Sequence, residues 1–342
     1  MKKLRVLMTG AGAPGGPGII KCLQADDSIA LYVCDASDTA SGRFLNKEFF
    51  TCPSASDPGF IEFMLGKCQV LGIEVLFPLV TRELFLFAEH KSAFEKIGTR
   101  VVVSDFEALN IANDKSALHK HIAAHSILTP DFRIVQTFDQ LDRAFTDLGY
   151  PDRKICIKPS ISNGSRGVRI VDPNADGYDL LFNHKPNSLY ITKDDLFRIL
   201  SSRAFPELLV AEVLPGEEYT IDTLVNQGQT RLIAPRIRTR MSGGISVAGE
   251  FIENQEIIDY VSQIAATMPL HGPIGYQVKR AVDGRFKILE INPRIQGTSV
   301  ALTGAGVNLP LLAVLQEAGR DITIPAIKWG TKFVRFYEEV YY

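Results

Sequence analysis

The chain has 342 residues, which is enough for two or three lobes with cores of their own. Hydrophobic residues make up 46% of the chain and charged residues 22%, the usual mix of a globular protein, so a disordered chain and a fibre are excluded. The formal net charge of −2 argues against a broad surface for nucleic acid.

The cysteines and the apolar runs bear on location. The five cysteines form no CxxC pair, and an odd number in a chain of this size favours reduced thiols over a disulfide framework. The apolar run Leu4–Met8 meets Gly10 too soon for the core of a signal peptide, and no stretch approaches the roughly 20 apolar residues of a membrane span. We therefore expect a cytoplasmic protein that is not embedded in a membrane.

Residues 1–105 alternate short apolar runs with stretches of helical spacing. This β-α-β-α pattern predicts a doubly wound lobe around a parallel sheet. The predicted strands are Arg5–Met8, Ala30–Cys34, Val75–Phe77 and Arg100–Val103.

The rest of the chain shows two different patterns. Residues 106–211 predict an α+β lobe in which the strands Lys154–Lys158 and Val168–Val171 flank a Gly/Ser loop, and the polar segment Asp172–Ser188 is an insertion at its edge. Residues 212–342 predict an antiparallel sheet covered by helices. Its predicted strands are Tyr219–Val225, Arg231–Ile237, Gly275–Ala281 and Arg285–Ile291.

A glycine-rich turn, Gly10–Gly15, follows the first predicted strand, and Asp35 ends the second. Such a turn can present backbone N–H groups to a pyrophosphate, and the acid could bind a ribose, as in nicotinamide dinucleotide sites. The prolines at positions 14 and 17 depart from that pattern. A turn that only closes a βα unit is the alternative.

The C-terminal hairpin places polar side chains opposite one another. Asp283-Gly284 is a two-residue turn signal, so Val282 should pair with Arg285. Counting back along both strands then brings Gln277 opposite Glu290.

Period two puts Asn292 on the same face as Glu290. Together with Gln277, these side chains offer the oxygen ligands that suit Mg²⁺, with Mn²⁺ as a second possibility. Arg294 follows and could reach a phosphate. The alternative is a solvated hairpin face.

Two further segments could bind a nucleotide. Lys158 opens a loop that contains Gly164, Ser165 and Gly167, whose backbone and hydroxyl donors could fold over phosphate oxygens. A polar hairpin tip is the alternative.

Glu212 ends an apolar strand, and Glu218 follows six residues later. Glu212 could accept a hydrogen bond from the amino group of adenine, and Glu218 could bind the ribose hydroxyls. Solvated carboxylates at a rim are the alternative.

Taken in order, these features resemble the ATP-grasp superfamily, most closely a single synthetase half of the carbamoyl phosphate synthase large chain and its stand-alone carboxylate–amine ligase relatives. The likeness covers nearly the whole chain. It implies a pre-ATP-grasp lobe in residues 1–105, a lid lobe in 106–211 and a C-terminal lobe with the magnesium hairpin in 212–342. Lysines stand at positions 115 and 158 where carbamoyl phosphate synthase has arginines, which puts carbamoyl phosphate synthesis itself in doubt.

The resemblance also implies residue roles. Lys115 and Lys158 would contact ATP phosphates, Gly164, Ser165 and Gly167 would form the lid, and Gln277, Glu290 and Asn292 would bind magnesium. Adenine would lie against Glu212 and the backbone from Ala211 to Leu214, ribose against Glu218, and the transferring phosphoryl group against Arg294 and Lys158.

The implied enzyme is an ATP-dependent ligase that forms an acyl phosphate and passes the acyl group to an amine or a thiol. Phosphorylation gives a carboxylate a better leaving group, and the charge of the transferring phosphoryl group needs cationic partners. A phosphotransferase on the same fold, a nicotinamide-dependent oxidoreductase and a non-catalytic nucleotide sensor are the alternatives. Related enzymes are often homodimers.

We expect the substrates to be small, with a carboxylate and an amine among them. Thr81 and Glu83 follow the strand Val75–Phe77 and should lie at the carboxyl edge of the parallel sheet, where α/β folds place ligands. Glu83 could hold an ammonium group. Arg236, Arg238 and Arg240 alternate along one strand and should form a row that binds carboxylate or phosphate. The alternative is an exposed acid and a solvated strand.

Overall fold

The computed structural model describes residues 2–162, 164, 166–185 and 188–342. The chain divides into two compact units. Unit 1 contains Met1–Asn110, Tyr219–Gln277 and Ile291–Tyr342, and unit 2 contains Ile111–Glu218 and Val278–Glu290. The first and third predicted segments thus contribute to one unit, and the predicted division into three lobes remains a prediction.

The first sheet of unit 1 is parallel and has the strand order β3-β2-β1-β4-β5. Its strands are β1 (Leu4–Met8), β2 (Ile29–Asp35), β3 (Phe49–Thr51), β4 (Val75–Phe77) and β5 (Arg100–Val101). Five helices connect them, namely α1 (Gly16–Gln24), α2 (Gly42–Leu45), α3 (Phe60–Leu71), α4 (Thr81–Glu89) and α5 (Lys91–Lys96). The strands are almost wholly apolar because helices cover the sheet.

The order of this sheet reverses at the β1–β4 pair, where Met8 lies beside Phe77. Such a switch point is the usual ligand-binding edge of a parallel sheet. Thr9 follows β1 and α4 follows β4, so both reach this edge.

Unit 2 contains a sheet with the strand order β6-β10-β7-β8-β9, in which only the β8–β9 pair is parallel. The strands are β6 (Phe132–Val135), β7 (Ile155–Pro159), β8 (Arg169–Val171), β9 (Tyr190–Ile191) and β10 (Leu208–Glu212). The helices in this part of the chain are α6 (Phe106–Asn113), α7 (Lys115–Ala124), α8 (Phe138–Asp147), α9 (Gly177–Phe182) and α10 (Lys193–Ser201). Asp114 caps α7 by accepting from the backbone N–H of Ala117 at 3.0 Å, which fixes Lys115 as its first residue.

The third sheet has the strand order β15-β14-β11-β12-β13-β16. Its strands are β11 (Glu218–Asn226), β12 (Gln229–Ser242), β13 (Ile245–Phe251), β14 (Gly272–Arg280), β15 (Phe286–Asn292) and β16 (Lys332–Val334). Helices α11 (Gln255–Ala265) and α12 (Leu309–Glu317) and a short 3₁₀ helix (Ser299–Thr303) complete the chain. Strands β14 and β15 cross the division between the units, since residues 278–290 belong to unit 2.

The predicted fold class is confirmed, because a parallel α/β lobe and an antiparallel C-terminal sheet are both present. Strand β13 was not predicted. It follows a turn at Gly243-Gly244, where both residues have positive φ, and pairs back onto β12 as the second strand of a hairpin. Within the described part of the chain, no helix combines the length and apolar character needed to cross a bilayer.

The predicted turn of the C-terminal hairpin is wrong by one residue. The Ala281 N–H donates to the Arg285 carbonyl at 2.8 Å, and the Gly284 N–H donates to the Ala281 carbonyl at 3.1 Å. Three residues therefore form the loop, and Gly284 adopts the positive φ of 84° that a glycine bulge requires.

The burial of β15 does not follow a simple two-residue alternation. Phe286, Ile288 and Ile291 are all buried, although three positions separate the last two. The placement of Gln277 opposite Glu290 remains a prediction.

Candidate functional site

Lys115 is a buried cation of unit 2. Only 5% of its surface is exposed, because it opens α7 against the end of β7. Its Nζ donates to the Ser162 carbonyl at 2.9 Å and lies 3.9 Å from Oε2 of Glu290. A phosphate in this pocket would replace contacts that a carbonyl and a carboxylate now provide.

Burial and the neighbouring acid act on the pKa of Lys115 in opposite directions. Burial lowers the pKa of Lys115, the Glu290 carboxylate opposes that shift, and the Lys158 ammonium adds to it. His119 on the same helix is buried as well, and burial followed by Lys158 lowers its pKa to about 3. His119 is therefore neutral at pH 7 and adds no positive charge to that of Lys115 and Lys158.

The loop after β7 contains the predicted lid residues. Lys158 lies in β7 opposite Leu209 of β10, and β8 returns antiparallel after the loop. Gly164 and Gly167 have positive φ values of 63° and 76°, and a Cβ on Gly167 would meet Pro159 at 2.5 Å. Position 167 therefore requires glycine, and the left-handed backbone at position 164 favours it. Ser165 lies outside the described residues.

Glu212 ends β10 and is held by two protein donors. Its Oε1 accepts from the Asp131 backbone N–H at 3.0 Å and from the Lys287 ammonium, to which it is ion-paired. Both side chains are largely buried, with 17% of Glu212 and 9% of Lys287 exposed. The solvated rim position is thus excluded for Glu212. Lys287 was not anticipated, since a lysine on a strand usually faces solvent.

The other predicted adenine and ribose contacts lie on the same short stretch. Ala211 and Leu214 are buried, and Glu218 begins β11 in a half-buried position. Glu212 is half-buried between them. Their assignment to ATP remains a prediction.

The predicted magnesium ligands occupy neighbouring strands. Glu290 and Asn292 are two positions apart on β15 and half-buried, and Gln277 is half-buried on β14. In unit 1, the Arg238 guanidinium donates to Oε1 of Gln277 at 3.4 Å. The described residues contain no cluster of three or more His, Cys, Asp or Glu side chains able to hold a metal. The predicted set contains only one such side chain, and its amide and carboxylate oxygens fit magnesium chemically.

Arg294 and Thr81 meet in unit 1. Nε of Arg294 donates to Oγ1 of Thr81 at 3.1 Å, and Nη1 donates to the Ile295 carbonyl at 2.8 Å. Thr81 is the first residue of α4, at the carboxyl edge of the parallel sheet. The predicted phosphoryl-binding arginine and one predicted substrate residue are therefore direct neighbours.

Glu83 also lies at this edge, but it is not the exposed acid of the alternative interpretation. It is 6% exposed and accepts a short hydrogen bond from the Thr9 hydroxyl. Burial raises the pKa of Glu83 to about 7, against the Thr9 hydrogen bond, and Asp35 adds to the increase. A buried carboxyl with a pKa near neutral is a common property of functional sites.

The prediction that Arg236, Arg238 and Arg240 form one row able to bind a substrate is wrong for Arg236. This side chain is fully buried and donates to Asp222 at 2.8 Å, Ser246 at 3.2 Å and Thr298 at 2.6 Å. The Ser299 hydroxyl donates to the other oxygen of Asp222 at 2.6 Å. Arg236 is thus engaged by protein groups and cannot reach a substrate in this conformation.

Arg238 and Arg240 differ from Arg236 in exposure. Arg238 is half-buried and donates to Ser246 at 3.0 Å as well as to Gln277, while Arg240 is exposed. The register of β12 against β13 shifts between the two arginines, so period two does not carry from one to the other. Arg238 therefore remains the candidate that lies beside a predicted metal ligand.

The glycine turn is occupied by protein contacts. Oδ2 of Asp35 accepts from the Gly12 N–H at 2.8 Å, and a Cβ on Gly15 would meet the backbone of Gly297 at 2.4 Å. Arg335 donates to the Pro14 carbonyl at 2.7 Å. The acid expected for a ribose instead holds its own turn, which disfavours the nicotinamide dinucleotide interpretation.

Sequence reasoning missed the polar residues that support Arg236. Thr220 and Asp222 lie two positions apart on β11, so the sequence places both polar side chains on one face of the strand. Both are buried, and the apolar residues around them predicted an ordinary core strand instead. Ser246 lies on the unpredicted strand β13.

Comparisons with known proteins agree with this fold. Residues 204–335 match the family described as "ATP-grasp in the biosynthetic pathway with Ter operon". Residues 6–102 match the family described as "PylC-like, N-terminal domain". Among curated proteins, a carbamoyl phosphate synthase large chain of Thermus thermophilus is 23% identical over 232 residues, which cover 67% of this chain and 22% of that protein. The chain thus spans about a fifth of the length of such relatives.

Two solved structures are similar over most of the chain. An N5-carboxyaminoimidazole ribonucleotide synthetase in complex with ADP superimposes with a TM-score of 0.72 at 13% identity, covering 98% of this chain and 82% of that one. An L-amino acid ligase from Bacillus licheniformis gives a TM-score of 0.64 at 17% identity, covering 93% and 74%. At these identities the superpositions show the fold.

The fold is that of ATP-grasp ligases, and the resemblance inferred from the sequence is confirmed. More particularly, residues 204–335 match an ATP-grasp family and residues 6–102 a PylC-like N-terminal domain, and the chain is similar to carbamoyl phosphate synthase large chains.

Proposed function

We propose that the protein is an ATP-dependent ligase that phosphorylates a small carboxylic acid, such as an amino acid, and transfers the acyl group to an amine. The observation that carries this proposal is Lys115, a buried ammonium whose charge burial and Lys158 disfavour. An ATP phosphate bound there would stabilise the charged form of Lys115, against the effect of its burial. Two of the proteins with a similar fold are named an L-amino acid ligase and an ADP-bound synthetase, which supports an ATP-dependent ligation as the class of reaction.

The proposed roles follow the chemistry of each residue. Lys115 and Lys158 bind the ATP phosphates, with Gly164, Ser165 and Gly167 closing over them. Glu212, Ala211 and Leu214 hold adenine and Glu218 the ribose. Gln277, Glu290 and Asn292 hold magnesium, which neutralises charge on the phosphates when it is bound.

Arg294 stabilises the phosphoryl group during transfer. Its guanidinium is oriented by Thr81 and by the Ile295 carbonyl, so its geometry is fixed before substrate arrives. The carboxylate oxygen attacks the γ-phosphorus, ADP leaves, and the amine then displaces phosphate from the acyl phosphate.

The substrate groups bind at the edge where Thr81 and Glu83 lie, with Arg238 and Arg240 as carboxylate partners. An ammonium group beside Glu83 would lower the pKa of that carboxyl from about 7, because it stabilises the charged form. Such a contact would favour substrates that carry an amine. All five cysteines lie in the described residues and are unpaired, which supports the proposed cytoplasmic location.

The experiment is ADP release measured against a panel of amino acids and small acids, singly and in pairs, with hydroxylamine as a second acceptor. Hydroxylamine converts an acyl phosphate to a hydroxamate, so hydroxamate formed with ADP identifies the activated acid. A phosphotransferase would instead leave a stable phosphorylated product and form no hydroxamate. ADP release that no acid stimulates, with the metal present, would contradict the proposal.

A further inference from the structure

Glu83 is a buried acid of unit 1 that has no cation beside it. It is 6% exposed, and no lysine, arginine or histidine among residues 2–162, 164, 166–185 and 188–342 forms an ion pair with it. Two other largely buried acids differ in this respect, since Asp222 is paired with Arg236 and Glu212 with Lys287. Buried charges in proteins are normally paired, so Glu83 is either neutral or meets a cation that the chain does not supply.

The pKa of Glu83 lies where both forms are accessible. Burial raises it to about 7 and the Asp35 carboxylate adds to the increase, against hydrogen bonds from the Thr9 hydroxyl and the Val80 backbone N–H. The hydrogen bond with Cys52 and burial raise the pKa of the neighbouring Cys34 thiol well above its usual range, so that thiol adds no charge at pH 7. A general base works best when its pKa lies near the working pH.

The contacts of Glu83 place it at the carboxyl edge of the parallel sheet. Thr9 follows β1 and donates to Oε2 of Glu83, while its own backbone N–H donates to the Phe77 carbonyl at the end of β4 at 3.2 Å. Thr81 lies two residues before Glu83 in the first turn of α4 and accepts from Arg294. Glu83 therefore lies only about 3 Å further along the helix axis than the residue that orients the proposed phosphoryl-binding arginine.

The second step of the proposed ligation needs a base at this edge. An ammonium group has no lone pair, so the amine must lose a proton before its nitrogen attacks the acyl phosphate. We propose that Glu83 is the catalytic base that takes this proton, a role that rests on the proposed ligase function and assigns the amine to this edge.

The proton and electron pairs balance in this step. One N–H bond of the ammonium group breaks as an O–H bond forms on the Glu83 carboxylate. The nitrogen lone pair forms the C–N bond while the C–O bond to phosphate breaks, and phosphate leaves with that electron pair. Glu83 then releases its proton to water.

The surroundings of Glu83 favour both halves of this proton transfer. The charged carboxylate attracts the ammonium group, and the transfer leaves Glu83 in the neutral form that its burial and Asp35 favour. Thr9 is a positioning residue, because its hydroxyl holds Oε2. A carboxylate can accept several hydrogen bonds, so this contact leaves lone pairs for the amine.

The test compares two acceptors in one assay. Hydroxylamine is neutral at pH 7 and needs no base, whereas amino acids carry an ammonium group. The protein receives ATP, magnesium and a mixture of the standard amino acids, with or without hydroxylamine, and mass spectrometry measures the initial rates of amide and hydroxamate formation. Glu83→Gln should lower the ratio of amide to hydroxamate at pH 7 at least about a hundredfold. Glu89→Gln, at the exposed end of the same helix, should leave the ratio unchanged.

The pH dependence separates proton transfer from binding. In Glu83→Gln the rate of amide formation should rise about tenfold per pH unit between about pH 7 and 9, because only amine that is already free in solution can react. In the unchanged chain this rate should level off once Glu83 is charged. Thr9→Val removes a hydrogen bond that lowers the pKa of Glu83, so its rate should level off at a higher pH.

Three results would overturn the role of Glu83. They are an unchanged ratio in Glu83→Gln, a variant that raises only the KM of the amine and keeps kcat, and a Thr9→Val profile that levels off at the original pH. Urea unfolding of each variant checks that the chain is folded. Amide formed by the unchanged chain supports the proposed function whatever the variants do, whereas hydroxamate without any amide in the unchanged chain would contradict transfer to an amine and the role of Glu83 together.

Discussion

Nζ of Lys115, at the start of α7, lies 3.9 Å from the carboxylate of Glu290 on β15, within one compact unit. From the sequence, Lys115 was predicted to bind phosphate and Glu290 to bind metal. Their proximity supports that proposal, because the charge of each side chain partly neutralises the charge of the other. A bound nucleotide phosphate would attract Lys115, and a bound cation would attract Glu290.

Glu290→Ala should abolish ATP turnover while the chain stays folded. The variant removes the proposed carboxylate ligand and leaves Lys115 without its nearest acid, so the pKa of Lys115 should fall further than burial already lowers it. ADP release and thermal unfolding measured on the same preparation check both parts. Asp283→Ala is the matched control, since that acid is exposed on the loop of the same hairpin. Turnover like that of the control would remove Glu290 from the metal site.

The protein should prefer ATP to GTP. Lys287 and the Asp131 N–H both bind Oε1 of Glu212, which fixes the carboxylate as an acceptor at the end of β10. The guanine carbonyl in place of the adenine amino group would face that acceptor without a proton to share, at a cost of roughly 1–3 kcal/mol, or about 5- to 150-fold in kcat/KM.

Competition between the two nucleotides in the ADP-release assay measures this preference. Glu212→Gln should narrow the difference, because an amide can also donate to the guanine oxygen. Equal kcat/KM for ATP and GTP in the unchanged chain would show that Glu212 is only a structural partner of Lys287.

Substitution of Arg236 should lower the stability of the fold, whereas substitution of Arg238 should weaken substrate binding. Arg236→Met leaves Asp222 charged, fully buried and without its cation, so the free energy of unfolding should fall by about 3–5 kcal/mol. Arg238→Met affects a half-buried side chain and should change stability by no more than about 1 kcal/mol while raising substrate KM. Urea unfolding and steady-state kinetics distinguish the two. An Arg238 variant with unchanged KM would place carboxylate recognition elsewhere.

The fold was predictable from local patterns, and the arrangement of the arginines was not. The spacing of apolar residues predicts that β1, β2 and β4 alternate with helices, because that spacing reflects only which residues are buried. The burial of Arg236 depends on the elements that pack against its side chain, namely the unpredicted strand β13 and the segment after β15. Only tertiary contacts supply the acid and hydroxyls that make a buried arginine stable.

The hairpin illustrates the same limit at a smaller scale. Asp283-Gly284 correctly predicted a turn, but whether glycine occupies the second or third loop position changes the register by one residue. The turn signal therefore predicted the hairpin, but it did not determine which residue of β14 lies opposite Glu290.

The buried carboxyl of Glu83 should make stability fall with rising pH over a defined range. Its pKa in the folded chain is about 7 against an ordinary value of 4.5, so the folded state keeps its proton where the unfolded state has lost it. Below about pH 4.5 both states are protonated and the group contributes nothing. As pH rises towards 7 the unfolded state is progressively favoured, and above 7 the cost is complete at about 3 kcal/mol.

Glu83→Gln cannot ionise and still offers an oxygen to the Thr9 hydroxyl, so the difference in unfolding free energy between this variant and the unchanged chain should grow between pH 4.5 and 7. Glu89→Gln, at the exposed end of the same helix, is the control and should show no such trend. Urea unfolding at several pH values measures the difference. If an amine substrate binds beside Glu83, adding it at pH 7 should selectively stabilise the unchanged chain over the Gln variant, because the ammonium restores the charged carboxylate. A pH-independent difference would mean that Glu83 ionises in the folded chain at its ordinary pKa.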